Sequence, residues 1–187
     1  AFLVILFILP LLVGIAIAIY LCSPGNPFFC QERVGLHGKV FPMWKFRTMI
    51  PNAESLQVTL EGKNKTDGVL FKIEDDPRLI PIGKFLRRTS LDELPQLFNV
   101  LAGQMSLVGP RPLPVRDVER FTHWHHTRHN VLPGITGLWQ VSGRSDLEDF
   151  NDVARLDLYY IDNWSFNLDL EILVETFRIL FLAKGAY

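Results

Sequence analysis

The chain has 187 residues, enough to bury one substantial core, and its length implies a single domain. A formal charge of −1 argues against a nucleic-acid partner, because domains that neutralise phosphate backbones carry a marked basic excess. With only Cys22 and Cys30, the first abutting an apolar segment, a disulfide scaffold is a poor fit and reduced thiols on a cytosolic face are expected. Charge is nonetheless uneven. Between Pro81 and Asn130 seven Lys or Arg stand against four Asp or Glu, a local excess suited to an anionic ligand or to lipid headgroups.

Residues 1–22 contain no charged side chain and are long enough to cross a bilayer as a helix. Pro10 lies near the middle and Gly14 one turn later, and a proline there removes a backbone hydrogen bond and bends the helix. Two topologies follow: a kinked spanning helix, or a re-entrant helix that enters and leaves on one face. A cleaved signal peptide fits poorly, since a basic n-region and a small-residue cleavage site are lacking. The absence of flanking charge before Ala1 leads to the expectation that this is the C-terminal part of a longer protein, with residues 23–187 forming one catalytic domain at the membrane interface.

Ser23-Pro24-Gly25-Asn26-Pro27 breaks the first helix. Residues 28–33 and 39–48 are rich in aromatic and β-prone side chains, and Gly35-Leu36-His37-Gly38 between them predicts a hairpin. Residues 52–60 have helical character, and the polar run 61–68 reads as an exposed loop that would serve as a lid beside a site. Ile82 to Arg88 predicts a short amphipathic helix suited either to a membrane surface or to an ordinary solvated one. Further helices are predicted over 115–129, 146–161 and 168–182. The fold class implied is α+β, mainly helical, with one small hairpin and amphipathic helices around a single core.

The run Leu91-Asp92-Glu93-Leu94-Pro95 is the most informative. Adjacent carboxylates at a helix start can divide the roles of nucleophile and metal ligand, and Arg87, Arg88 and Arg111 nearby can hold phosphates. The same residues fit a capping box, in which Ser90 and Glu93 satisfy each other's backbone and Asp92 complements the helix dipole. Pro95 is tolerated only in a first turn, so the helix must start near Leu91 or Asp92, with Asp92 or Ser90 as the cap. Arg111 sits between Pro110 and Pro112, which present its guanidinium from a stiff loop, for a phosphate or for a structural salt bridge.

Other constellations carry less. His123, His125, His126 and His129 have zinc-like spacing without a cysteine, and a solvated histidine-rich helix explains them better. Asp75-Asp76-Pro77-Arg78 reads as a turn rather than a cation site, and no Gly-x-Ser-x-Gly elbow is present. The glycine-punctuated stretch 133–144, with Trp139 and Arg144, suits base stacking and pyrophosphate binding but matches no standard fingerprint.

Taken together, SPGNPFFCQERVGLHGKVFPMWKFRTM, DDPR, IGKFLRRTSLDELPQLFNVLAGQMSLVGPRPL, PGITGLWQVSGR and LDLYYIDNWSFNLDL resemble the monotopic bacterial phosphoglycosyl transferases, also called bacterial sugar transferases. The likeness covers nearly the whole chain and is strongest to the catalytic part of the longer, hexose-using members. It implies transfer of hexose-1-phosphate, galactose or glucose, from a UDP-sugar to undecaprenyl phosphate with release of UMP. That is the first membrane step of O-antigen, capsule or exopolysaccharide synthesis. By the same resemblance Asp92 is the nucleophile that carries a covalent phospho-sugar, Glu93 binds Mg²⁺, and Arg87, Arg111 and Arg144 contact phosphates. Asp157 is implied to be a further polar member of the site, and Pro10 the bend of a re-entrant helix at the cytoplasmic face of the bacterial inner membrane. The expected partners are the UDP-sugar, the polyprenyl phosphate and membrane lipids, with no nucleic acid; a homodimer is compatible with the sequence. The family's basic residues ahead of the apolar helix are missing here. Two rival readings of the residues alone are a non-catalytic membrane scaffold and a phosphatase with an aspartyl-phosphate intermediate.

Overall fold

In the computed structural model, residues 2–53, 55–56, 76–143 and 149–182 are described. Helix α1 (Phe2–Cys22) is a single apolar helix that includes Pro10 and is long enough to cross a membrane. Most of its surface is bare of protein, but Leu12, Ile15 and Ile19 are buried against Phe46, Ile80 and Leu86 of the body. The chain then turns out of the helix, and Arg47 donates to the carbonyls of Ser23 and Pro24, which the helix has left without partners.

The expected hairpin forms from β1 (Phe28–Val34) and β2 (Val40–Phe46), in register from Phe28 opposite Phe46 to Val34 opposite Val40. Its turn needs two left-handed residues, His37 (φ 54°) and Gly38 (φ 74°). β4 (Leu113–Pro114) adds antiparallel to β1, and β3 (Ser106–Val108) pairs in parallel with β5 (Gly134–Thr136). The parallel pair is tight enough that a Cβ on Gly134 would fall 2.1 Å from the Gly109 nitrogen.

Helix α2 (Gly83–Arg88) matches the predicted amphipathic segment, with Leu86 buried and Lys84, Phe85 and Arg88 exposed. Beyond it come α3 (Gln96–Leu101), α4 (Val115–Val118), α5 (Leu138–Val141), α6 (Phe150–Asp162) and α7 (Phe166–Leu182). Asp149 caps α6 by accepting from the Asn151 amide. On α7, Phe166, Leu170, Val174 and Phe177 leave an apolar stripe exposed, while Ile172 packs against Val108 and Tyr160.

Three expectations change. The helix predicted over 115–129 is two pieces: α4 ends at Val118, and a 3₁₀ segment restarts at His123 behind Thr122, whose backbone is extended (φ −81°, ψ 164°) and forms a capping box with His125. Asn52 is left-handed (φ 62°), and residues 51–53 and 55–56 are turns, which excludes a helix starting at 52; residues 57–60, the loop at 61–68 and Asp75 lie outside the described residues. Trp139, in the stretch that suited base stacking, is buried with Leu113, Phe150 and Val153.

The packing of α1 onto the body is testable. Ile19 is fully buried whereas Phe7 is 88% exposed. Ile19→Ala should cost about 2–5 kcal/mol in denaturant unfolding in detergent, and Phe7→Ala less than about 0.5 kcal/mol. Equal losses would mean that the second half of α1 does not rest on the body.

Candidate active site

The turn that presents the paired carboxylates is built by local rules. Helix α2 ends where the Thr89 hydroxyl bonds the carbonyls of Phe85 and Leu86, and Ser90 then adopts the left-handed conformation (φ 54°) that terminates helices. Leu91–Glu93 form one 3₁₀ turn, and Leu94 and Pro95 continue it in right-handed geometry into α3. The right-handed coil therefore starts at Leu91, as Pro95 requires. Of the two candidate caps, Ser90 holds the N-cap position of this turn, but its side chain makes no capping bond, and Pro95 occupies the position before α3.

The two carboxylates have opposite surroundings. Both are buried, Asp92 to 6% exposure and Glu93 to 8%. Glu93 is well bonded: its Oε1 accepts from Lys45 Nζ at 2.9 Å and from Arg111 Nη2, and its Oε2 accepts from Arg111 Nη1 at 3.1 Å. No described residue donates a hydrogen bond to the Asp92 carboxylate. Burial pushes the Asp92 carboxyl above its usual range, the charge of Glu93 adds to that, and Lys45, Arg87 and Arg111 pull it back.

The basic residues come from separate elements. Lys45 stands on β2 on the same face as the buried Phe41 and Met43, so strand alternation puts an ammonium where a core side chain belongs. Burial lowers its pKa to about 8, against the opposing pull of Glu93. Arg87 leaves α2 toward the segment that follows β2, where its Nε donates to Thr48 Oγ1 at 3.0 Å; burial lowers it and Asp92 raises it. In Arg111 the pull of Glu93 outweighs burial and holds the guanidinium above its ordinary value. Arg33 on β1 is lowered to about 9 by burial and by the positive charge of Arg111. Four cations thus stand in electrostatic reach of two carboxylates, so a ligand with about two negative charges would balance the site.

The Gly-Pro-Arg-Pro segment is held by its backbone. The Gly109 N-H donates to Thr136, and three successive carbonyls accept from three elements: Pro110 from the Gly134 N-H at 3.0 Å, Arg111 from Arg128 at 2.9 Å, and Pro112 from Arg33 at 3.0 Å. Arg87, Asp92, Glu93 and Arg111 are therefore brought together. Asp157 lies one step behind them: its carboxylate, 1% exposed, is paired with Arg128. Arg144 is outside the described residues. Lys45 and Arg33 were missed in the sequence; the available signal was a lysine in phase with Phe41 and Met43 along a predicted strand. The histidines serve packing: His125 bonds Thr122 and Asn151, and His129 stacks on Phe121.

Residues 1–183 match the model of the family described as bacterial sugar transferase. The chain belongs to that family. It is 46% identical to the galactosyl transferase CpsE of Streptococcus agalactiae, over 87% of the chain and 36% of that protein. It is 42% identical to the undecaprenyl-phosphate galactose phosphotransferase of Salmonella typhimurium, over 87% of the chain and 35% of that protein. The exopolysaccharide production protein ExoY of Sinorhizobium fredii is 38% identical, over 87% of the chain and 74% of that protein. The sugar transferase chain thus spans about a third of the length of the first two relatives.

The Lys45–Glu93 pair makes a pH prediction. The folded-state pKa of about 8 lies below the 10.5 of an ordinary lysine, so between those values the unfolded chain binds more protons and this group's contribution to stability rises with pH. A ¹³Cε titration of Lys45 should therefore show a midpoint near 8, and because Glu93 favours the charged form, Glu93→Gln should lower that midpoint. A midpoint near 10.5 that Glu93→Gln leaves in place would show that the ammonium is solvated and apart from Glu93.

Proposed function

We propose that the chain is the catalytic part of a phosphoglycosyl transferase that moves hexose-1-phosphate, galactose or glucose, from a UDP-sugar to undecaprenyl phosphate and releases UMP, opening O-antigen, capsule or exopolysaccharide synthesis. The observation that carries the reading is a buried Asp92 carboxylate to which no described residue donates a hydrogen bond, with Lys45, Arg87 and Arg111 in electrostatic reach. A carboxylate that only capped a helix would be bonded to backbone N-H groups. Relatives named for galactose and glucose-1-phosphate transfer to undecaprenyl phosphate support the substrate class.

In this mechanism an Asp92 oxygen attacks the β-phosphorus of the UDP-sugar. The new O–P bond forms as the bond from that phosphorus to the bridging oxygen breaks, and UMP leaves with the electron pair. A phosphate oxygen of the polyprenyl acceptor then attacks the same phosphorus and returns Asp92 to its carboxylate. Lys45, Arg87 and Arg111, with Arg144 by family resemblance, hold the phosphates and stabilise charge that builds on the oxygens. Mg²⁺ suits the donor set, because it is commonly held by one or two carboxylates plus substrate phosphates, and no group of three or more His, Cys, Asp or Glu converges among the described residues. Bound there it would neutralise the diphosphate and assist departure of UMP. Glu93 would hold it, and would first have to release an oxygen from Lys45 or Arg111.

The same reading places α1 as a re-entrant helix bent at Pro10, with the catalytic body on the cytoplasmic face. Support comes from packing along the helix. Leu12, Ile15 and Ile19 touch the body that carries the charged site, so a straight spanning helix about 30 Å long would draw that site into hydrocarbon. The exposed stripe on α7, with Trp164, suits the headgroup boundary.

Incubation with Mg²⁺ and a UDP-hexose, without polyprenyl phosphate, should give an intact-mass increase of one hexose-phosphate that maps to Asp92. Asp92→Asn should show none. A bare phosphate adduct would favour a phosphatase, and no adduct with any UDP-hexose would sink the transferase reading. For topology, labels placed at Ala1 and Tyr187 should both react from the cytoplasmic side; reaction of Ala1 only from the far side would establish a spanning helix.

A further inference from the structure

We propose that the buried Arg128–Asp157 pair is a positioning element for Arg111, which fixes the direction of the Arg111 guanidinium through its backbone carbonyl. The argument rests on the reading above only in taking Arg111 as a phosphate-holding group. Arg128, in the 3₁₀ segment, and Asp157, on α6, are 2% and 1% exposed as side chains. Arg128 Nε and Nη2 both donate to Asp157 Oδ2, at 3.0 and 2.5 Å, and the same Nη2 donates to the Arg111 carbonyl at 2.9 Å. The guanidinium carbon also lies 5.8 Å from the centroid of Phe121 and 5.6 Å from that of Phe150, so its plane is constrained by two rings.

Stability does not account for this arrangement. Burying an ion pair costs desolvation that the attraction often only balances, and apolar replacements are frequently neutral or better. What the pair does supply is direction. Arg111 lacks help from its neighbours, because Pro110 and Pro112 have no N-H to anchor the loop. Its peptide plane is set from outside, and a planar fork can hold a carboxylate with one edge while sending a further N-H to a carbonyl. Lysine in place of Arg128 has the charge without that fork. If the Arg111–Pro112 peptide rotates, the Cα–Cβ vector of Arg111 moves with it and the guanidinium leaves the two oxygens of Glu93.

The test is a double-mutant cycle on the full-length protein, with Mg²⁺, a UDP-hexose and polyprenyl phosphate. Arg128→Lys should lower kcat/KM about tenfold in the native background and less than about twofold in an Arg111→Ala background, because its effect passes through Arg111. Asp157→Asn, which keeps shape and one acceptor, should act in the same direction by a smaller factor, and guards against misfolding of Arg128→Lys. Equal factors in both backgrounds, or no loss in the native one, would overturn the proposal. A second readout needs no turnover: the ¹⁵N-¹H signal of Arg111 Nε, assigned by its loss in Arg111→Lys, should be sharp in the native protein and broadened or shifted in Arg128→Lys. An unchanged signal overturns positioning. Absence of transfer by the native protein sinks the functional reading instead, and leaves the spectrum to decide this one.

Discussion

Glu93 is the point on which the site depends. One carboxylate receives an ammonium from β2 and a guanidinium from the loop before β4, and this convergence joins the hairpin, the turn after α2 and the Pro-Arg-Pro segment. Its neighbour in the chain, one residue earlier, lies in the same buried space and receives no hydrogen bond from any described residue. Two carboxylates adjacent in sequence therefore have different chemistry, because a 3₁₀ turn directs successive side chains about 120° apart into different surroundings. The well-bonded one organises cations, and those cations keep charge on its neighbour affordable despite burial.

β2 and the residue after it connect this site to the apolar helix α1 through three consecutive residues. Lys45 reaches Glu93, Phe46 packs among Leu12, Ile15 and Ile19 of α1, and Arg47 holds the carbonyls where the chain leaves that helix. Strand alternation makes this economical, since successive side chains face opposite sides of the strand. The position of α1 is thereby mechanically linked to the paired carboxylates.

Rigidity at Arg111 is reached by a different route. Its flanking prolines remove the N-H groups that a loop ordinarily uses, and donors from β5, the 3₁₀ segment and β1 hold the carbonyls instead. A guanidinium held in this way has little conformational entropy left to lose on meeting a ligand. Arg33, Arg128 and Asp157 supply that stiffness from positions that sequence spacing does not connect.

Local rules were legible in the chain wherever they act within a few residues. The apolar run of α1, the hairpin with its glycine turn, the right-handed start at Leu91 forced by Pro95, and the pairing of Asp92 with Glu93 all rest on propensity, periodicity and proline geometry. The segment 115–129 was misread because Thr122 caps a new turn with His125, a local preference that interrupts an otherwise helical pattern. Trp139 suited base stacking as well as core packing in the sequence and proves to be core, because an aromatic in a glycine-rich stretch looks the same in either role until its neighbours are known. Which carboxylate would be bonded, that Lys45 would reach Glu93 from 48 positions away, and that Asp157 would pair with Arg128 were decided by tertiary packing. Burial and charge pairing depend on what the fold brings together across the chain, and spacing along the backbone carries no information about either.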